Sequence, residues 1–276
     1  MSRSLEGKLA IVTGGSRGIG AAIAENLASK GCSLVLNYTS SSSESLTTDL
    51  CSRLSSTYNI SAVGIQADVG TSSGAALVVS TATSSQKQID IIINNAGIAL
   101  NAPLPDVTLH QFEETYRVNV LGPLLLTQAA LLHLPTDRSG RIVNISSVSS
   151  SCGFVGQSVY GGTKAALEAM TRTWSRELAE RATVNAVNPG PVEGPLYATN
   201  TPEFLANIKG FNMHTPLMAP QPGVDSPEVI QEAKSSGGRL AHTHEVAGIV
   251  GMLCTPDSAW CTGQVMCANG GMLMLH

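Results

Sequence analysis

Thr13-Gly14-Gly15-Ser16-Arg17-Gly18-Ile19-Gly20 follows directly on the apolar run Leu9 to Thr13 and opens a helical pattern that reaches Lys30. A strand that passes into a helix through glycines meets three physical needs. One glycine permits the tight turn, one lets the backbone approach a pyrophosphate, and one lets helix and strand pack closely. The helix N-terminus then presents unpaired N–H groups and a partial positive charge to phosphate oxygens. Gly14, Ser16, Arg17, Gly18, Ile19 and Gly20 are therefore the first candidate cofactor residues.

Outward from this turn, short apolar runs alternate with longer helical patterns, the signature of strand-helix-strand units in a parallel sheet. Strands are expected at Leu9 to Thr13, Leu34 to Asn37, Ala62 to Gln66, Ile89 to Ile93, Arg141 to Ser146, Thr183 to Val187 and Gln264 to Ala268. Helices are expected at Gly18 to Lys30, Glu44 to Tyr58, Thr71 to Gln86, Thr108 to Leu132, Ser158 to Arg181 and His244 to Cys254. Several runs are apolar at successive positions, as strands covered on both faces must be. The fold class that results is α/β, one doubly wound parallel sheet with helices on both faces, over a single domain of residues 1–276. Residues 190–240 break the alternation with many prolines and glycines among apolar residues, and are expected to form a substrate lid.

The chain of 276 residues is 43% hydrophobic, enough for a full core, and 13% charged, against about 25% in an average soluble protein. Sixteen Lys+Arg against 20 Asp+Glu give a net charge of −4. Nucleic acid and acidic membranes are bound through clustered Lys and Arg, so neither is expected as a partner. Cys32, Cys51, Cys152, Cys254, Cys261 and Cys267 form no Cys-x-x-Cys pair, and free thiols in a reducing compartment are the simplest reading. The N-terminal stretch lacks the basic-then-apolar layout of a signal peptide, and Val118 to Leu134 is too polar and short for a membrane span. A cytoplasmic location is expected. No metal site is expected, since His242 and His244 are two apart and would not share a helix face.

The spacing Gly-x-x-x-Gly-x-Gly after Thr13 resembles that of the short-chain dehydrogenase/reductase family. The resemblance continues in order through Asp68-Val69, Asn94-Asn95-Ala96-Gly97, Ser147, Tyr160-Gly161-Gly162-Thr163-Lys164, Asn188-Pro189-Gly190 and Gly263-Gln264-Val265. It covers nearly the whole chain and implies a Rossmann fold. It also implies that Asp68 and Val69 hold an adenine, that Asn95, Ala96 and Gly97 line the adenosine side, and that Pro189, Gly190 and Val192 flank a nicotinamide. In one place the pattern departs from the family: where many members carry Pro-Gly-x-Val-x-Thr, Gly194 occupies the threonine position. Thr199 or backbone groups are candidates to orient the nicotinamide instead.

The second strand ends Asn37-Tyr38-Thr39-Ser40-Ser41, with no acid before Glu44. A carboxylate there would bind the 2′-hydroxyl of NAD, whereas its absence beside an Arg accommodates the 2′-phosphate of NADP. Arg17, with Asn37, Tyr38, Thr39 and Ser40, therefore points to NADP(H).

Tyr160 and Lys164 are four apart on a predicted helix and share a face. A phenol titrates near 10, and a neighbouring ammonium is expected to lower that value toward useful acid–base range. The resemblance implies that Tyr160 is the general acid or base, Lys164 also holds the nicotinamide ribose, Ser147 polarises the carbonyl, and Asn119 holds a proton-relay water. The expected activity is NADP(H)-dependent interconversion of a ketone and a secondary alcohol. Leu196, Phe204, Phe211 and Met213 in the lid suggest a medium-sized apolar or aromatic substrate, and likeness to polyketide and naphthol reductases suggests secondary-metabolite biosynthesis. Two rivals are a redox-neutral cyclase or epimerase using bound NADP(H) and a non-catalytic NADP(H)-binding protein. A homotetramer or homodimer is expected through Thr108 to Leu132 and Ser158 to Arg181.

Overall fold

The computed structural model describes residues 3–274, apart from the side chain of Ser85. Its strands and helices follow in the order Leu9–Val12 (β1), Gly18–Ser29 (α1), Ser33–Tyr38 (β2), Glu44–Tyr58 (α2), Ala62–Gln66 (β3), Ser72–Ser85 (α3) and Ile91–Asn94 (β4). Then come Leu109–Tyr116 (α4), Gly122–Ala130 (α5), Gly140–Ile145 (β5), Ser149–Cys152 (α6), Ser158–Glu177 (α7) and Ala182–Pro189 (β6). Pro195–Ala198 (α8), Pro202–Met213 (α9), Pro227–Ser236 (α10), Thr243–Cys254 (α11) and Val265–Ala268 (β7) complete the chain. The seven strands form one parallel sheet in the order β3-β2-β1-β4-β5-β6-β7.

The doubly apolar strands explain this arrangement. Ala10, Val12, Leu34, Leu36, Ile91 and Ile93 point to one face, where Ile23, Leu27, Leu50, Leu54, Val246 and Val250 from α1, α2 and α11 cover them. Leu9, Ile11, Val35 and Ile92 point to the other, under Val78, Leu126 and Trp174 from α3, α5 and α7. Burying each such aliphatic side chain is worth roughly 1.5–3 kcal/mol, so neither face can be left to solvent. The chain winds outward from β1 to β3 and returns to β4 on the other side of β1. That reversal opens a crevice at the carboxyl ends of β1 and β4, where ligands bind in sheets of this kind.

Two expected elements differ. The single helix expected over Thr108 to Leu132 is broken: a π-helical turn at Arg117–Leu121 separates α4 from α5. Pro123 is the cause, because it has no N–H to return to the carbonyl of Asn119 four residues earlier. The helix carrying Tyr160 stops at Glu177, short of Arg181. Residues 190–240 contain the helices α8, α9 and α10, each opened by a proline in its first turn, a position where the missing N–H costs nothing. Phe154 packs edge-on against Phe204 and Phe211 of α9, with ring centres 6.2 and 5.0 Å apart.

Candidate active site

The glycine-rich turn is held by its neighbour strand. Thr13 Oγ1 accepts from the backbone N–H groups of Asn95 and Ala96 at 3.0 and 2.9 Å, and donates to the Ile93 carbonyl. Asn95 Nδ2 donates to the carbonyls of Thr13 and Gly14 at 2.8 and 3.1 Å. Asn95 therefore braces the turn with its side chain, and Thr13, read only as a flank of the motif, is the buried hydroxyl that joins the ends of β1 and β4. Gly14 has φ of 60°, and a Cβ on Gly20 would lie 2.2 Å from the Gly14 carbonyl oxygen. The turn thus admits no side chain at these two positions.

This cradle fits a dinucleotide. Arg17 is the N-cap of α1, makes no side-chain cap hydrogen bond, and no acid lies in the helix's first turn, so the N-terminal N–H groups remain available to phosphate oxygens. Arg17 and Thr39 to Ser42 are exposed at the carboxyl ends of the adjacent strands β1 and β2. Ser40 Oγ lies 2.7 Å from Ser42 Oγ. Ser16 and Tyr38 are buried in the wall of the same region, and Ile19 packs on the core. Asn37 has a different position from the one its place in the sequence suggests. It is buried, with Nδ2 donating to the Ala67 carbonyl at 2.9 Å across the β2–β3 seam. Thr39 Oγ1 reaches the same carbonyl at 3.4 Å.

Asp68 is half-buried and tied to its neighbours. One carboxylate oxygen meets Arg117 at 2.7 Å and the other accepts from Gly70 N–H at 2.9 Å. Arg117 also grips Glu114, and neither partner was apparent from sequence. Val69 is buried in the core. On the far side of the crevice, Pro189 accepts from Val148 N–H at 3.0 Å, Gly190 N–H donates to Ala268, and Val192 bridges to Ala241. Gly194 caps α8, and its ideal Cβ would stand 3.9 Å from Gly18 Cα. Thr199 Oγ1 donates to the Leu196 carbonyl at 2.9 Å and is thereby committed to its own helix turn.

The four candidate catalytic residues meet beside the end of β5. Tyr160 is 8% exposed and Lys164 is 4% exposed, on one face of α7, with the ammonium 5.6 Å from the phenol ring centre. Lys164 Nζ donates to the Ile145 carbonyl at 2.8 Å. Burial pushes the Tyr160 phenol up to about 12, partly countered by the neighbouring Ser147 hydroxyl, and pushes the Lys164 ammonium down to about 8 against the attraction of Glu168. The expected lowering of the phenol by Lys164 is not found: the phenol's own desolvation sets the direction of its shift. Asn119, buried in the π turn, donates through Nδ2 to the Ile98 carbonyl at 2.9 Å and to Thr163 at 3.1 Å, and accepts from Ile98 N–H at 2.9 Å. Ala96 and Gly97 lie on the same loop, and an ideal Cβ on Gly97 would lie 3.3 Å from Asn119 Oδ1 and 3.4 Å from Lys164 Nζ.

Sequence reading missed the polar chain behind Ser147. Ser147 Oγ donates to Ser149 Oγ at 3.1 Å, and Ser149 Oγ donates to Gln157 Oε1 at 2.6 Å. Asn101 Nδ2 reaches Asn200 Oδ1 at 3.3 Å, linking the loop after β4 to the lid. His214 is exposed at the end of α9. His242 and His244 are stacked, with His242 Nδ1 3.0 Å from Glu193. Among the described residues there is no cluster of metal-ligating side chains, and no helix is long and apolar enough to cross a membrane. All six cysteines are free.

A family model described as short chain dehydrogenase matches residues 8–203. The chain is 54% identical to L-xylulose reductase of Aspergillus niger and 47% identical to L-xylo-3-hexulose reductase of Hypocrea jecorina, each over 99% of both chains. A solved structure of a blue fluorescent protein from a metagenomic library in complex with NADPH superposes with a TM-score of 0.82 and 33% identity, over 98% of this chain and all of that one. With the glycine turn, the Tyr160–Lys164 pair and the doubly wound sheet in their expected order, the chain belongs to the short-chain dehydrogenase/reductase family.

Proposed function

We propose that this chain is an NADP(H)-dependent reductase that converts a polyhydroxylated ketone, a keto sugar of the L-xylulose kind, to the corresponding polyol. The observation that carries this reading is the full-length likeness to two reductases of keto sugars. The site agrees with it. Ser149 and Gln157 back Ser147 with hydroxyl and carboxamide groups, and Asn101 and Asn200 add a second carboxamide pair between the loop after β4 and the lid, a polar character that suits a substrate rich in hydroxyls. The lid's phenylalanines Phe204 and Phe211, which suggested an apolar or aromatic ketone, both pack against Phe154.

Arg17 and the acid-free end of β2 favour NADP(H) over NAD(H). That cofactor, when bound, supplies the hydride for the carbonyl carbon. Tyr160, held protonated by burial, gives its phenolic proton to the carbonyl oxygen. The Ser147 hydroxyl, whose proton points to Ser149 in the free site, turns to donate it to the same oxygen and stabilises the charge that develops there. Lys164 holds the ribose and, with Asn119 at the π turn, returns a proton to Tyr160. The same reading includes a homo-oligomer, since Leu109, Phe112, Leu121 and Leu132 are exposed along α4, α5 and the turns beside them.

The test is NADPH consumption over a panel of ketoses and of aliphatic and aromatic ketones, with product analysis. The expected result is turnover of a ketose to its polyol, with NADPH preferred to NADH. Turnover confined to apolar ketones, or ketose conversion without net NADPH consumption, would overturn it.

A further inference from the structure

Glu168 lies one helical turn beyond Lys164 on α7, so Tyr160, Lys164 and Glu168 share a single face at four-residue intervals. Its side chain is 6% exposed. A carboxylate removed from water to this extent is stable only when hydrogen-bonded and paired, and the surrounding elements supply the partners. Glu168 Oε1 accepts from Ser146 Oγ at 2.6 Å, from Ser150 Oγ at 2.7 Å and from Asn188 Nδ2 at 3.4 Å. Asn188 is held in turn by Asn269, whose Nδ2 donates to it at 3.5 Å.

Ser146 and Ser150 stand on either side of Ser147. One buried carboxylate oxygen therefore fastens both ends of the turn that carries the carbonyl-polarising hydroxyl. We propose that Glu168 is a positioning residue of this site, which fixes the Ser146–Ser150 turn around Ser147 and sets a negative charge one helical turn from Lys164. The proposal rests on the assignment of Ser147, Tyr160 and Lys164 as the catalytic group.

Two physical effects carry it. Hydrogen bonds to a carboxylate are shorter and about twice as strong as neutral ones, so the clamp resists displacement of the Ser147 backbone away from the substrate oxygen. The second effect is electrostatic. Tyr160 and Glu168, both on α7, are the titratable groups that face Lys164, whereas β5 presents the Ile145 carbonyl and the π turn the Asn119 carboxamide. The groups that face Glu168 from the β5–α6 turn and from β6 are likewise uncharged, namely Ser146, Ser150 and Asn188. Glu168 is thus the anion that opposes the loss of the Lys164 proton on burial.

The test compares wild type with Glu168→Gln, which keeps an acceptor oxygen but removes the charge. The titration of Lys164 is followed in the whole protein by NMR of 13Cε-labelled lysine, with Lys164→Met identifying the resonance. The expected result is a midpoint lower by about one pH unit or more in Glu168→Gln, and recovery of most of that difference in Glu168→Asp. An unchanged midpoint would overturn the electrostatic part. Ser150→Ala, which removes one leg of the clamp while leaving the charge, should lower kcat several-fold with little change in cofactor affinity and none in the Lys164 midpoint. Wild-type kcat in Ser150→Ala would overturn the clamp, and it does so even where Glu168→Gln fails to fold. Because the NMR titration needs no substrate, a protein that shows the shift but reduces no ketose would contradict the proposed function and leave the role of Glu168 standing.

Discussion

Lys164 lies one helical turn after Tyr160 with its ammonium 5.6 Å from the phenol ring centre, and both side chains are buried. Burial acts on them in opposite senses, raising the phenol to about 12 and lowering the ammonium to about 8. At neutral pH both hold their protons, the state that carbonyl reduction requires. The rate of ketone reduction should therefore fall as pH rises through about 8, where Lys164 loses its charge. A kcat profile between neutrality and alkaline pH measures this, and a rate that stays flat well above that range would contradict it.

The same pair predicts a trade between stability and activity. Lys164 titrates near 8 in the fold against 10.5 for an ordinary lysine, a difference of about 3 kcal/mol at roughly 1.4 kcal/mol per pKa unit. Between these values the unfolded chain binds more protons, so stability rises with pH across that window. Lys164→Met should abolish turnover and yet melt at a higher temperature than wild type near neutrality, with the gap closing as pH approaches 10.5. Thermal denaturation at several pH values checks both the sign and the trend.

Arg17 is exposed at the N-cap of α1, at the same edge of the sheet as the serines that follow β2. Arg17→Ala should weaken NADPH binding by roughly ten- to a hundredfold, the worth of a lost charge-assisted hydrogen bond, and leave NADH binding nearly unchanged. Fluorescence titration with both cofactors distinguishes this from a general loss of affinity.

Gly97 leaves room for the Asn119 and Lys164 side chains. A methyl group there would press within 3.3 Å of Asn119 Oδ1 and 3.4 Å of Lys164 Nζ. Gly97→Ala should keep the fold but lower kcat by roughly ten- to a hundredfold through misplacement of the relay, with a circular dichroism spectrum like that of wild type.

The lid is fastened at its base. Arg239 makes two 2.8 Å hydrogen bonds to the Glu245 carboxylate, and Glu193 meets His242 at 3.0 Å. Arg239 holds the Glu245 carboxyl down at about 2. The contribution of this pair is present above the ordinary carboxylate range and is lost as pH falls from about 4.5 toward 2. Arg239→Gln should expose residues 219–240 to limited proteolysis at neutral pH, as acid should for wild type.

The sheet was readable because its strands are continuous apolar runs and its first turn is a glycine motif in the right context. Leu9–Val12 and Ile91–Asn94 carry that signal in four residues each. The break at Arg117–Leu121 was harder to read, since Pro123 marks it only through the carbonyl of Asn119 four residues back. The three short helices of the lid were hidden by the prolines that start them. Within the site, Tyr160 and Lys164 could be placed from helical spacing alone. The bracing roles of Thr13, Asn95 and Asn37 depend on pairing between β1 and β4 and between β2 and β3, distances of chain that no local pattern spans. Asp68 was read as a ligand-facing acid, and its tie to Arg117 comes from a residue 49 positions away. Burial also reversed the expected direction of the Tyr160 shift, because proximity of charges can be read from spacing and desolvation cannot.

Reduction of L-xylulose by wild type and by Tyr160→Phe, with NADPH binding measured on the same samples, tests the proposed chemistry most directly. Tyr160→Phe removes only the phenolic oxygen from a buried ring. The expected result is polyol formation coupled to NADPH consumption by wild type, and retained NADPH binding with turnover reduced by about a hundredfold or more in the variant. Comparable turnover in the two proteins, or no ketose reduction by wild type that binds NADPH, would contradict it.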